Sequence, residues 1–289
     1  MEIQESVRTA YNKGSSRDIS NDERIKSKPF NKQTFLIRLT LAALAMLTVY
    51  GFVTFDYKEI HFLDAIYSTA GTIKTMFFQP FLNHISFVEA LMQVVITLGL
   101  AFLTTLFGAV IALFLSLLAA HNLSNYRLSI FIKGIVAFIR AVPTVLWVLI
   151  FAVAAGLGSV AAVIGMTFHS ISYLVKAYSE SFEELDKGII EALKASGANW
   201  WQIVFQAVIP SSITYLISWT FMRFEINFAV AVAMGAAAGA GGIGYDMFMA
   251  SGYYYDVREI GAITYLILAF AVLLEVIASR IKKKLRVQD

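Results

Sequence analysis

Two ionisable residues, Arg223 and Glu225, stand inside an otherwise apolar run from Ser211 to Ala233. Charges in such a run are costly in hydrocarbon and normally face protein or a water-filled path. Residues two apart do not share a helix face, so a salt bridge between these two is not expected. Asn227 follows Arg223 by one turn and can join its network. Three roles stay open for Arg223: pairing with a carboxylate on another helix, lining a path that favours an anion, or contact across a subunit interface. A second candidate is the run holding Gly239, Gly241, Gly242 and Gly244. A dinucleotide fingerprint needs a strand before it and a helix after it in a soluble unit. This run instead follows an apolar helix, so its glycines suit a tight turn or an external gate. The small residues from Ala229 to Ala240 allow close helix packing, with or without solute contact. No phosphate-loop pattern occurs anywhere, so the chain has no nucleotide site of its own. The sequence has no cysteine, which excludes thiolate catalysis and thiolate metal sites. His61, His84, His121 and His169 are too scattered to suggest a metal site, and no cofactor is expected.

The elements that must hold these residues are membrane helices. The 289 residues are 58% hydrophobic and 15% charged, with mean hydropathy +0.69. A soluble domain is about half apolar and a quarter charged, so a soluble enzyme is nearly excluded. A net charge of +3 is too mild for a nucleic-acid partner. A crossing helix needs roughly 20 apolar residues, and the chain holds six such runs. They lie at about Phe35–Phe55, Leu91–Ala120, Ile130–Val153, Leu157–Val175, Ser211–Ala233 and Ile260–Ile277. The predicted class is therefore all-α, a polytopic membrane protein.

Residues 1–34 read as a polar tail and 35–55 as the first transmembrane helix. Residues 56–89 read as an external loop or interfacial segment. Within that segment, 68–82 is interfacial, re-entrant, or a plain loop with one short helix. Residues 282–289 form a basic end. Basic residues gather in the tail, around Arg127, Lys133 and Arg140, around Lys187 and Lys194, and at Lys282–Arg286. Acidic residues such as Asp56, Asp64, Asp246, Asp256 and Glu259 mark the opposite loops. The positive side faces the cytoplasm, which puts both termini there.

The connector over residues 180–210 is the most informative stretch. Good helix formers from Ile189 to Ser196 end at Gly197. A second short helix, Trp200 to Val208, is expected to end before Pro210. Together they would make a knob turning about one glycine. The plain alternative is an amphipathic connector lying on the membrane surface.

The run from Glu191 through Ala192 to Gly197, then nine residues to Ala-Val-Ile-Pro210, resembles the coupling loop of bacterial ABC importer permeases. The family pattern is Glu-Ala-Ala, three residues, Gly, nine residues, Ile-x-Leu-Pro. This chain departs at Leu193, Ala207 and Ile209, all apolar exchanges. Arg140 to Pro143 also resembles the family's Arg-x-x-Pro stretch. The resemblance covers about Ala90 to Ile281, and it implies a five-helix permease core over residues 90–281. The element Arg223-Phe-Glu225-Ile-Asn227, followed by the glycine run, resembles the phosphonate-type subgroup.

The resemblance implies a multi-pass transport subunit of the bacterial inner membrane, not an enzyme. It implies a second copy of the chain, two cytoplasmic ATP-binding subunits and an external solute-binding protein. Glu191, Ala192, Gly197 and Pro210 would couple the chain to the ATPase. The solute would be a small oxyanion: a phosphonate, phosphite or a phosphate ester. The alternatives are a methionine or other amino-acid importer of the same fold, and a gradient-driven secondary transporter, for which no clear internal repeat is found. A membrane-embedded enzyme needs titratable groups clustered at one depth, and only Arg223 with Glu225 comes near that.

Overall fold

The computed structural model describes residues 32–55 and 61–286. Most of the expected polar tail, residues 56–60 and residues 287–289 lie outside the described residues. Among the described residues every regular element is helical. Five helices are long and apolar enough to cross a membrane, and one bent pair makes up to a sixth. Helices satisfy their own backbone groups, which hydrocarbon requires.

Helix α1 (Lys32–Thr54) belongs to a separate unit. Its 23 residues extend about 35 Å at the helical rise. Its side chains are exposed throughout, and lipid is the solvent such apolar surface prefers.

The second unit holds α2 (Phe62–Phe78), α3 (Phe87–Ala119), α4 (Tyr126–Ala141), α5 (Thr144–Ala155) and α6 (Ser159–Glu183). It continues with α7 (Lys187–Ala195), α8 (Trp200–Ile203), α9 (Ile209–Ala238), α10 (Ile243–Gly252) and α11 (Val257–Arg286). The stretch 68–82, left open by the sequence, is mostly the 17-residue helix α2, which packs along α11. Gly261 permits that contact, because a Cβ there would run into the Met76 carbonyl oxygen. The Tyr265 hydroxyl donates to the Phe77 carbonyl at 2.8 Å and fixes the register.

Helix α3 starts with a capping box. Ser86 Oγ accepts from the Glu89 N–H at 3.2 Å, and the Ser86 N–H donates to Glu89 Oε2 at 2.8 Å. Its buried stripe is small: Ala90, Val94, Thr97, Ala101, Thr105, Gly108, Ala112 and Ser116. Lipid gives no hydrophobic drive between helices, so close van der Waals approach of small residues must supply the attraction. The stripe meets α6, whose own face carries Ala161, Ala162, Gly165 and Ser170.

The expected third span is broken. Helices α4 and α5 meet at 91°. Pro143 has no N–H for the Ile139 carbonyl. The Trp147 indole N–H takes that place at 3.0 Å, so the bend leaves this acceptor satisfied. Helix α5 then lies against α6 at Gly165, where an added Cβ would stand 2.6 Å from the Val148 backbone. The fourth span also exceeds its expected end, reaching Glu183. Its last turns carry Lys176 and Glu180, paired at 3.6 Å, on an exposed face.

The junction at Pro210 differs from expectation as well. The helix does not stop there: Trp200–Ala238 runs on for 39 residues. Residues Val204–Val208 form a π turn, with the Ile209 N–H reaching back to the Val204 carbonyl. The wider turn accommodates a proline that a regular helix would not hold without a kink.

The packing at Gly165 yields a test. Gly165→Val should lower the midpoint of thermal unfolding in detergent, with a cost of about 1–3 kcal/mol from overpacking. Gly134→Ala, with nothing within 4 Å of its added Cβ, should leave the midpoint unlowered or raise it slightly, because alanine favours a helix interior over glycine.

Candidate functional site

The connector between α6 and α9 is built as a braced knob. Asp186 caps α7, accepting from the Gly188 N–H at 2.8 Å. Gly197 ends the helix with φ +86°. The Ala198 N–H donates to the Leu193 carbonyl and the Gly197 N–H to the Lys194 carbonyl, each at 3.0 Å. That double closure is a Schellman turn, and its left-handed position favours glycine. Asn199 then opens α8 through a capping box with Gln202. Glu191, Ala192, Lys194 and Gly197 are all exposed, while Ile190 is buried against the bundle.

Four hydrogen bonds hold the knob and its approach to the α3–α4 loop and to α4. The Trp200 indole donates to the Leu123 carbonyl at 2.9 Å. The Asn122 amide donates to the Phe182 carbonyl at 2.7 Å. Glu183 accepts from the His121 N–H at 2.8 Å and from Lys133 at 2.7 Å. A cleft of about 440 Å³ lies beside α7, with Glu191, Lys187 and Lys194 on its wall. Trp201 is 53% exposed and stacks on Phe205.

The intramembrane network joins three helices. Arg223 is 2% exposed and its Nε donates to Ser170 Oγ of α6 at 3.0 Å. Asn227, fully buried, donates to the same hydroxyl at 3.0 Å and to Thr105 Oγ1 of α3 at 2.8 Å. The Arg223 guanidinium also lies 5.2 Å from the Tyr173 ring centroid, a cation–π distance. Among the described residues Arg223 makes no ion pair. Glu225 points elsewhere, towards Glu275 of α11. The structure thus joins Arg223 with Asn227 and separates both from Glu225. Ser170, Thr105 and Tyr173 carried no signal in the sequence, since hydroxyls are common in membrane helices.

The glycine run forms the α9–α10 turn. Gly239, Gly241 and Gly242 all have positive φ. A Cβ on Gly242 would collide with Thr97 Oγ1, and one on Gly244 with the Val232 carbonyl oxygen. Thr97 Oγ1 accepts from the Ile243 N–H at 3.0 Å, so the turn is pinned against α3.

At the same end, Glu259 of α11 is buried. It accepts from the His84 N–H at 3.0 Å and meets His84 Nδ1 at 2.6 Å. Asp256 lies alongside, and ligand atoms of the three residues fall within 4.8 Å of one another. The sequence spacing of the histidines did not foresee that cluster, because 175 residues separate its members. Asp246, in the first turn of α10, is pushed up to about 6 by burial first, then by Glu259 and Glu89. Its Oδ2 is buried without a hydrogen-bond partner.

Residues 112–286 match the family described as binding-protein-dependent transport system inner membrane component. The phosphate-import permease protein PhnE of Mycolicibacterium smegmatis is 31% identical over 153 residues, 53% of this chain and 29% of that protein. The phosphite transport system permease protein PtxC of Stutzerimonas stutzeri is 29% identical over 188 residues, 65% of this chain and 68% of that one. The probable D-methionine transport system permease protein MetI of Pasteurella multocida is 31% identical over 159 residues, 51% of this chain and 73% of that one. The chain therefore spans less than a third of the mycobacterial relative and about two thirds or more of the other two. The inward-facing MetNI methionine ABC transporter matches in fold, with TM-score 0.63 and 24% identity over 70% of this chain and 99% of that one.

The environment of Asp246 predicts a pH dependence. Its folded value lies above the ordinary 3.8, so the ionised form opposes folding. That penalty is full above about 6 and disappears as the pH falls towards 3.8. Asp246→Asn should stabilise the protein at pH 7.5 by about 1 kcal/mol once solvent screening of this half-buried group is allowed for. Thermal unfolding should show a gain of about 2–4 °C at pH 7.5, shrinking steadily below pH 6.

Proposed function

The chain belongs to the family of binding-protein-dependent transport system inner membrane components, and on that premise we propose that it is the permease subunit of an ATP-driven importer for a phosphonate or related phosphorus oxyanion. It is a multi-pass protein of the bacterial inner membrane. The observation that carries the proposal is the unbroken Trp200–Ala238 helix. One end of that helix belongs to the exposed knob, and its middle carries the buried Arg223 and Asn227. A push on the knob is thereby delivered to the intramembrane network.

In this reading two copies of the chain enclose the path. Two ATP-binding subunits dock on the cytoplasmic side. Glu191 offers them a carboxylate, Ala192 and Gly197 permit close approach, and Pro210 sits at the π turn that joins knob to span. A solute-binding protein docks outside, above the turn at Gly239, Gly241, Gly242 and Gly244, which acts as the fixed corner of an external gate. ATP closes the ATPase pair and turns the paired spans outward; hydrolysis resets them. The phosphate and phosphite relatives support the oxyanion. The methionine relative supports a second reading, an amino-acid importer of the same build.

Purification with the neighbouring ATPase and binding protein, then reconstitution into liposomes, tests the proposal. ATP-dependent uptake of phosphite, phosphate or methylphosphonate is expected. Uptake of methionine alone would replace the solute, and uptake without ATP dependence would remove the importer mechanism. In the same assay Gly197→Trp, forced into a left-handed position that costs an ordinary residue about 1–2 kcal/mol, should cut uptake at least tenfold. ATP hydrolysis and membrane insertion should persist. Normal uptake by that variant would sink the coupling role of the knob.

A further inference from the structure

His84, Asp256 and Glu259 bring a mixed donor set to one point. It holds one imidazole nitrogen and two carboxylates, whose ligand atoms all lie within 4.8 Å of one another. Glu259 anchors the set. It is 1% exposed, and among the described residues its carboxylate is bonded only by His84, through the backbone N–H at 3.0 Å and ring Nδ1 at 2.6 Å. An ionised carboxylate has about four lone-pair sites, so about half of them are unfilled where water barely reaches. Among the described residues no lysine or arginine pairs with Glu259 or Asp256. Asp246, at the same end of the bundle, adds a carboxyl whose Oδ2 is buried without a partner. Buried carboxylates are ordinarily paired with a cation or bound to a metal.

The neighbours hold the three donors from behind, as outer-shell groups hold metal ligands. Tyr254 stacks on the His84 ring, centroid to centroid at 3.8 Å and within 5° of parallel. Asn83 Nδ2 donates to Asp256 Oδ2 at 3.3 Å. Asp256 Oδ1 accepts from the N–H groups of Arg258 and Glu259 at 3.0 and 3.2 Å. One oxygen of Asp256 thus caps α11, and the other stays clear of the backbone. The His84 side chain is 33% exposed, which gives an ion a way in from solvent. A histidine–glutamate pair by itself would account for His84 and Glu259, but it needs no second carboxylate beside it.

We propose that His84, Asp256 and Glu259 bind a divalent cation of the zinc type, and that the ion clasps the α2–α3 connector to the start of α11. Imidazole disfavours calcium and magnesium, and paired carboxylates disfavour soft ions, whereas zinc accepts both kinds of donor. Zinc ligands at bonds of about 2.0–2.2 Å stand roughly 3.3–3.6 Å apart in a tetrahedral shell. His84 Nδ1 and Glu259 Oε2, at 2.6 Å, share a proton where the ion would sit. On binding, that pair opens by roughly 0.7 Å and the ring keeps its proton on Nε2. His84 lies in the connector between two helices, which can give by that much. Water completes the shell. The site stands apart from the importer reading, since nothing in it depends on the solute or on the ATPase.

The experiment is calorimetric titration of zinc chloride into the chelator-treated full-length chain in nanodiscs, with calcium chloride titrated in parallel. Thermal unfolding is followed with and without zinc on the same preparations. The wild type should bind a single zinc ion saturably. Its unfolding midpoint should rise by about 5 °C or more at a hundredfold excess over Kd. His84→Phe keeps a ring against Tyr254, and Asp256→Asn keeps a helix cap. Each removes one ligand, so each should weaken zinc binding by more than about a hundredfold, and Asn83→Ala, which only frees Asp256, by about tenfold. Glu259→Gln should abolish binding. If that variant does not fold, the His84→Phe and Asp256→Asn pair decides, with size-exclusion profiles confirming intact protein. No saturable zinc binding to the wild type overturns the site. So does binding left unchanged in both variants of that pair, or a zinc-induced rise in midpoint that survives in His84→Phe, since the ion would then sit on other groups. Calcium bound as tightly as zinc would remove His84 from the ligands and overturn the assignment as well.

Discussion

Hydrocarbon offers no water to a polar group, and the architecture of this bundle follows from that lack. Wherever the sequence interrupts a helix, another side chain or a changed turn supplies the missing partner. Pro143 withdraws the donor that Ile139 needs, and the Trp147 indole replaces it. Pro210 would unsettle a regular helix, and a π turn absorbs it. Asn227 has its amide shared between Thr105 and Ser170. Arg223 is one place where the rule is met only in part, since one of its nitrogens is left over.

Small residues determine how closely these helices can come and thus which polar groups can meet. An added Cβ on Gly108 would stand 2.8 Å from the Ser170 Cβ. That close approach of α3 to α6 is what brings Thr105 and Ser170 within reach of one asparagine on α9. Gly235 and Gly244 do the same where α9 meets α10, with an added Cβ on Gly235 only 2.7 Å from the Gly241 carbonyl oxygen. Stability and the polar network therefore share one set of positions. A side chain grown at any of them would separate both the packing and the hydrogen bonds.

Much of this was legible in the sequence, for definite physical reasons. Long apolar runs have a single economical solution in a membrane, so all six runs are helical, although the third is bent and the fourth and sixth run on to Glu183 and Arg286, past their expected ends. Gly197 was readable because a helix followed by glycine and capping residues has a specific local closure. The bend at Pro143 was less legible: the apolar run is continuous, and proline in a membrane helix can kink it or merely sit there. The helix through Pro210 was misread because a π turn leaves no compositional trace. The separation of Arg223 from Glu225 followed from helical spacing. The partners of Arg223 did not, because Ser170 lies 53 residues away and is one hydroxyl among many.

The π turn at Val204–Val208 also sets a phase. A regular helix advances about 100° per residue, so a turn that holds one extra residue delays everything beyond it by that angle. Trp200, which docks on Leu123, and Arg223, which docks on Ser170, thus keep an angular offset fixed by five residues that lie between them. If those residues relaxed to ordinary helical winding while Trp200 stayed docked, the whole span beyond would rotate as a shaft does. Arg223 would then swing away from α6 without any helix having to bend.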